Sequence, residues 1–255
     1  MLVLLACGQA AHRRAWLLTH DADALTPAQQ ALLQSAMERR LRGEPIAYIT
    51  GTKEFYGLPL QVDARVLDPR DDTETLVDWA LEQLRAQAHP QPRVVDLGCG
   101  SGAIALALKS QYPPAQVVAV DASLDALDVA RANAQRLALD VQFAHGSWLD
   151  PVPGRFDLIV SNPPYIAATD PHLEALHHEP RSALISGADG LADIHAIIAQ
   201  STQRLQPAGW LLLEHGYDQA QAVAARMAAS GFVQVQSRAD LAGVARCTGG
   251  CWRPD

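Results

Sequence analysis

Four consecutive residues, Asn162-Pro163-Pro164-Tyr165, combine groups that can hold a planar NH2 substituent. The Asn162 carboxamide offers a carbonyl acceptor and an NH2 donor, and the Pro163 carbonyl is a second acceptor. Tyr165 supplies a flat face. Two acceptors take the two hydrogens of an amide or amine, and the ring lies against its π face. Such a grip points the nitrogen in one direction, which counts most when the nitrogen is a poor nucleophile and catalysis comes from positioning. The structural alternative is an asparagine that only turns the chain at a strand end. Rigidity comes from the prolines, since neither can donate to a ladder and each biases its predecessor toward extended backbone. The preceding run, Phe156 to Val160, is apolar nearly throughout and predicts a buried strand.

A second constellation lies upstream, at Asp96-Leu97-Gly98-Cys99-Gly100-Ser101-Gly102. Gly98 and Gly100 permit a tight turn and close backbone approach to a ligand, and Gly102 lets the following helix pack on the sheet. The G-x-G-x-G spacing is not the dinucleotide fingerprint, and the lysine of a phosphate-binding loop is absent. Asp96 would repel a pyrophosphate but suits a cationic ligand. Asp121 closes the next apolar run, where a carboxylate can accept from both hydroxyls of a ribose. Alternatively, Asp121 or Ser123 caps a helix. Trp148, after a third short apolar run, can stack on an adenine ring or fill the core.

These groups need elements that bring them to one sheet edge. From Arg93 onward, strands at Val94–Leu97, Val117–Val120, Val141–Phe143, Phe156–Val160, Trp210–Glu214 and Phe232–Val235 alternate with helices. The helices are expected at 102–108, 124–137, 191–205 and 219–229. This alternation predicts a doubly wound, mostly parallel α/β sheet, whose carboxyl edge is where ligands bind. Upstream, apolar residues 28, 32, 33, 36, 37 and 41 follow helical spacing after a Thr26-Pro27 start and end before Gly43. Two β-rich runs between Gly43 and Asp63 predict a hairpin joining two units. An amphipathic helix follows, with apolar positions 76, 77, 80, 81 and 84. The expected division is residues 1–43 helical, 44–70 a β-hairpin linker, and 71–255 the α/β domain.

Composition narrows the function classes. The 255 residues carry 28 acidic against 20 basic side chains, a net charge of −8, which argues against a broad nucleic-acid surface. No apolar run approaches a membrane span, and Met1 to Cys7 predicts a helix start rather than a leader, since no basic segment precedes it. Cys7, Cys99, Cys247 and Cys251 do not space like a disulfide framework. The histidines at 12, 20, 145, 177, 178, 195 and 215 give no ligand pattern, and no metal site is expected.

The chain resembles the HemK family, the release-factor glutamine methyltransferases, in matched stretches along nearly its whole length. D-L-G-C-G-S-G, V-A-V-D and S-N-P-P-Y carry the resemblance, together with Arg39–Ile49, Glu54–Leu58, Asp72-Thr73-Glu74, His178-Glu179-Pro180, Asp189-Gly190-Leu191, Leu213–Gly216 and Asp240–Gly243. It implies a Rossmann-like class I methyltransferase domain with a small helical N-terminal domain, using S-adenosyl-L-methionine and releasing S-adenosyl-L-homocysteine. The substrate it implies is the glutamine amide in the Gly-Gly-Gln motif of class 1 peptide chain release factors. Gly98, Cys99, Gly100, Ser101 and Gly102 would wrap the methionine part, Asp121 the ribose, and Trp148 the adenine. Asn162 would touch cofactor and substrate, with Pro163 sharing the amide, and Pro164 and Tyr165 framing it. A cytoplasmic monomer is expected, without stable nucleic-acid binding. An adenine-N6 nucleic-acid methyltransferase is the alternative, because the same loop suits the exocyclic NH2 of a flipped base. Four features depart from the family pattern: the 66–74 segment with Asp68 for an apolar residue and Asp71 for a proline, an N-terminus about one helix short, Ala208 where glycine is common, and the Cys247/Cys251 pair.

Overall fold

The computed structural model describes residues 1–10, 13–87 and 89–254, and His12 lies outside them. The chain opens with α1 (Leu2–Ala6), α2 (Arg14–Thr19) and α3 (Pro27–Leu41). Thr26 caps α3 as its sequence demands: its hydroxyl accepts from the Gln29 amide, and the Gln29 side chain accepts from the Thr26 N–H at 2.8 Å. The apolar spacing of α3 does not become a buried face, however. Only Ala36 is buried, while Leu32, Met37 and Leu41 are 58%, 50% and 84% exposed. Periodicity determines which residues a helix can bury; whether a neighbour arrives to cover them is a tertiary matter.

The first of the two β-rich runs after Gly43 is a helix, α4 (Ile46–Thr50). Pro45 sets its entry, and Gly51, at φ 70°, ends it in the left-handed conformation. The hairpin is shorter than expected, β1 (Thr52–Phe55) and β2 (Leu58–Gln61). Tyr56 and Gly57 between them both have positive φ, the two-residue loop whose twist matches the strands. A 3₁₀ turn over 71–73 leads into α5 (Glu74–Gln87), which buries Leu76, Val77, Ala80, Leu81 and Leu84 as its spacing predicts, and Trp79 besides.

The α/β alternation then runs β3 (Arg93–Leu97), α6 (Ala103–Gln111), β4 (Gln116–Asp121), α7 (Leu124–Leu137), β5 (Gln142–His145), β6 (Phe156–Ser161), α8 (Ala192–Arg204), β7 (Leu205–Glu214), α9 (Ala220–Ala229), β8 (Phe232–Ala239) and β9 (Ala245–Trp252). The sheet order is β5-β4-β3-β6-β7-β9-β8, parallel through β7 and antiparallel where β9 pairs with β7 and β8. The expected doubly wound sheet is therefore present. Missing from the sequence reading is β9, together with the second half of β8. Gly249 and Gly250 disguise β9, since glycine disfavours strands. A Cβ on Gly249 would lie 2.4 Å from Leu212 and 2.8 Å from Trp79, so close packing demands the glycine.

Alternate residues of the central strands feed two apolar cores. Val94, Leu158, Val160 and Leu212 face α5, α6 and α7, while Val95, Leu97, Ile159, Leu211 and Leu213 face α8 and α9. Cys247 and Cys251 are buried on β9 and line the first of these cores. No helix among the described residues is long and apolar enough to cross a membrane. The chain leaves β3 for β4 and β5 on one side and returns to β6 and β7 on the other. At that switch point the connections leaving the carboxyl ends of β3 and β6 run to opposite sides and open a crevice.

Candidate active site

The crevice holds a cavity of about 360 Å³, within the usual range for small-molecule sites. Gly98, Gly100, Asp121, Trp148, Asn162 and Pro164 line it, so four separate segments meet as their strand ends require. Gly98 and Cys99 donate their N–H groups to the Val120 carbonyl at 2.8 and 3.0 Å, which folds the glycine turn over the end of β4. Gly100 has φ 54° and no atom within 4 Å of where a Cβ would stand, so its backbone borders open space. The Trp148 ring lies 3.4 Å from the Cβ position of Gly98, one wall of the cavity. Cys99 and Ser101 are buried behind the turn, and Gly102 caps α6 with its Cβ position against Leu106 and Ala130.

Asp121 has a double role. One carboxylate oxygen accepts from Gly100 N at 2.9 Å and the other from Ser123 N at 2.8 Å. Each keeps a lone pair available to the cavity. Ser123, not Asp121, is the α7 cap, accepting from Ala126 N. Asp96 is wholly buried on β3, where one oxygen accepts from Ala105 N and the other has no partner. Burial pushes its pKa up to about 7, against the pull of the Ala105 amide. Asp121 and Asp193 leave the cavity acidic apart from Arg65, which suits a cationic ligand with a vicinal diol and not a phosphate.

Asn162 sits one residue past β6. Ser161 anchors that strand end by donating its hydroxyl to the Leu97 carbonyl at 2.7 Å. Asn162 Nδ2 donates to Thr73 Oγ1 at 3.2 Å, in the 3₁₀ turn before α5. A second, strongly polar cavity of about 420 Å³ is lined by Lys53, Pro69, Arg70, Asp71, Asp72, Tyr165, Glu214 and Arg246. Gln219 holds Tyr165 by donating to its carbonyl at 3.0 Å. Burial, and then the negative Glu214, push the Tyr165 hydroxyl well above its ordinary range. Glu214 is 1% exposed, and burial raises its carboxyl pKa to about 7 against the lowering pull of nearby Thr73, Arg246 and Asn162.

The sequence reading assigned no role to Thr73, Glu214 or Arg70, and left that of His178-Glu179-Pro180 open. Pro180 lines the first cavity, and buried Glu179 ties the 68–70 segment down, accepting from Asp68 N at 3.2 Å and pairing with Arg70. Asp68 adds a second carboxylate to Arg70 at 3.5 Å, while Asp71 is exposed and pairs with Lys53 at 2.7 Å. The available signal was positional: Thr73 precedes a helix and Glu214 ends a strand, so both fall at the site's edge.

Residues 3–51 match the family described as PrmC N-terminal domain, and residues 74–188 the Methyltransferase small domain. The chain is 48% identical to the release factor glutamine methyltransferase of Bordetella pertussis, over 93% of this chain and 88% of that one. It is 47% identical to the enzyme of that name from Yersinia pestis, over 94% and 87%. Among solved structures, the hMettl16 catalytic domain bound to an RNA hairpin superposes with a TM-score of 0.65 at 15% identity, covering 82% of each chain. A methyltransferase from Pyrococcus furiosus does so with a TM-score of 0.59 at 17% identity, covering 87% of this chain and all of the other. At such identities these two speak for the fold alone.

Proposed function

The chain belongs to the release factor glutamine methyltransferases, and from that membership we propose that it methylates the side-chain amide nitrogen of the glutamine in the Gly-Gly-Gln motif of class 1 release factors. The observation that carries this reading is the position of the N-P-P-Y loop, whose Asn162 and Pro164 line an acidic cavity suited to a nucleoside cation while its Tyr165 lines a polar cavity suited to a peptide side chain.

S-adenosyl-L-methionine, when bound, supplies an electrophilic methyl carbon on a sulfonium. The residues fit that group. Gly98 and Gly100 leave backbone room for the methionine part, with Cys99, Ser101 and Gly102 shaping the turn. Asp121 takes the ribose hydroxyls on its free lone pairs, and Trp148 stacks on the adenine. From the polar cavity the glutamine amide reaches Asn162 and Pro163, whose carbonyls each accept one amide hydrogen. Pro164 and Tyr165 frame its plane. The contribution is orientation, with acceptors placed where positive charge grows on the nitrogen. Residues 1–43 act as the helical unit that grips the factor, 44–70 link it, and 71–255 carry the chemistry, in a cytoplasmic monomer.

The test is methyl transfer from labelled S-adenosylmethionine to a purified class 1 release factor, with a Gly-Gly-Gln variant lacking the glutamine and plain duplex DNA alongside. Label on the intact factor alone is expected. Label on DNA overturns the reading in favour of an adenine methyltransferase.

A further inference from the structure

The glutamine reading requires that Asn162 present its carbonyl oxygen, not its NH2, to the reacting amide. A carboxamide flips easily, because its two ends have nearly the same shape. We propose that Glu214, acting through Thr73, fixes the direction of the Asn162 carboxamide and so creates the acceptor that the methylated amide needs. Both residues are thus positioning residues, and the inference rests on the proposed amide substrate.

The strand register brings the partners together. Ser161 pairs with Leu213 across β6 and β7, so the next residue of each strand, Asn162 and Glu214, lie side by side at the sheet edge. Thr73 is 4% exposed and comes from a distant segment to lie against both. With Glu214 ionised, hydrogen-bond polarity has one solution. A carboxylate then only accepts, so the proposed relay gives Glu214 the Thr73 hydroxyl proton. The Thr73 oxygen must then accept, and the group able to donate to it is Asn162 Nδ2, at 3.2 Å. The Asn162 Oδ1 is left for the substrate. The other Glu214 oxygen, Oε2, is buried with no partner, which would cost stability with no return if Glu214 were only packing.

The experiment uses Thr73→Val, which keeps the shape and removes the hydroxyl, and Thr73→Ser, which keeps the hydroxyl. Thermal unfolding confirms that both fold. Thr73→Val is expected to lose turnover on the release factor by roughly 30- to 100-fold, the scale of a misoriented reacting group, with the KM for S-adenosylmethionine unchanged. Thr73→Ser restores most of the turnover. Wild-type turnover in Thr73→Val overturns the inference, as do equal losses in both variants, which would mark a packing role. Hydrogen exchange at the Asn162 side-chain amide, read by NMR, tests the relay without any substrate. Protection in wild type and Thr73→Ser but not in Thr73→Val is expected, and equal exchange in all three overturns the relay. A wild-type enzyme that leaves the release factor unlabelled sinks the glutamine reading instead, and the exchange data then decide the relay by themselves.

Discussion

The two cavities lined by the N-P-P-Y loop are built on opposite principles. The first is made by the ends of adjacent parallel strands: a glycine turn after β3, a carboxylate ending β4, a tryptophan after β5 and a proline pair after β6. Its walls include backbone, one ring and a carboxylate already engaged by two backbone amides, with Arg65 and Asp193 also lining it. The second is made of charged side chains from five distant segments, and its three cations are all paired. Lys53 meets Asp71, Arg70 meets Asp68 and Glu179, and Arg246 meets Asp72 and Asp240. A cavity of backbone tolerates little change because its shape is the function. A cavity of balanced charges tolerates loss at its exposed rim, where ion pairs are worth about 0–1 kcal/mol.

Substitution in the N-P-P-Y loop has the largest expected effect. Asn162→Ala should lower turnover by about 10³-fold or more, the upper range for removing an oriented polar group. The fold should be retained, since the residue lies in a loop past β6; circular dichroism and a turnover assay check both. Next comes Asp121→Ala, which removes the proposed ribose contact and the acceptor for Gly100 N together. Affinity for S-adenosylmethionine should fall roughly 10- to 100-fold, as expected for a charged hydrogen bond. Calorimetry reads it, and unchanged affinity removes Asp121 from the site.

Buried carboxylates on both sides supply a pH prediction. Asp96 and Glu214 are raised in the fold to about 7, chiefly by burial. The folded state therefore binds more protons than the unfolded chain between the ordinary carboxylate value near 4 and about 7. Their contribution to stability is fully present below that window and lost as pH rises through it. The unfolding temperature should decline between pH 5 and 8, and Asp96→Asn should flatten the decline, measured by calorimetry at each pH. The smallest effect belongs to the rim. Asp71, whose side chain is 84% exposed, should be replaceable by alanine with turnover changed less than about twofold. A tenfold loss in a folded Asp71→Ala variant would show that the polar cavity is as exacting as the other.

The legibility of the site follows the same division. The glycine turn, Asp121 and the N-P-P-Y loop were readable because each is a short run in which strand end, turn chemistry and functional group are contiguous. Trp148 was ambiguous between core and cavity, and its ring does both, packing on apolar neighbours while walling the site. The second cavity was not readable. Arg70 and Glu214 look like any charged residues at element ends until the chain is folded.

The sequence by itself determined the alternation of strands and helices, the point where β6 must stop, and the residues of the cofactor-side turns, because periodicity and turn chemistry act over a few neighbouring residues. The tertiary structure decided what those residues face. It left the apolar stripe of α3 uncovered, hid β9 behind glycines packed against Leu212 and Trp79 at Gly249 and against Phe232 and Val235 at Gly250, and laid Thr73 over the edge where the β6–β7 register sets Glu214 beside Asn162. Register and coverage depend on the sum of contacts between segments far apart in the chain, and no local pattern contains that sum.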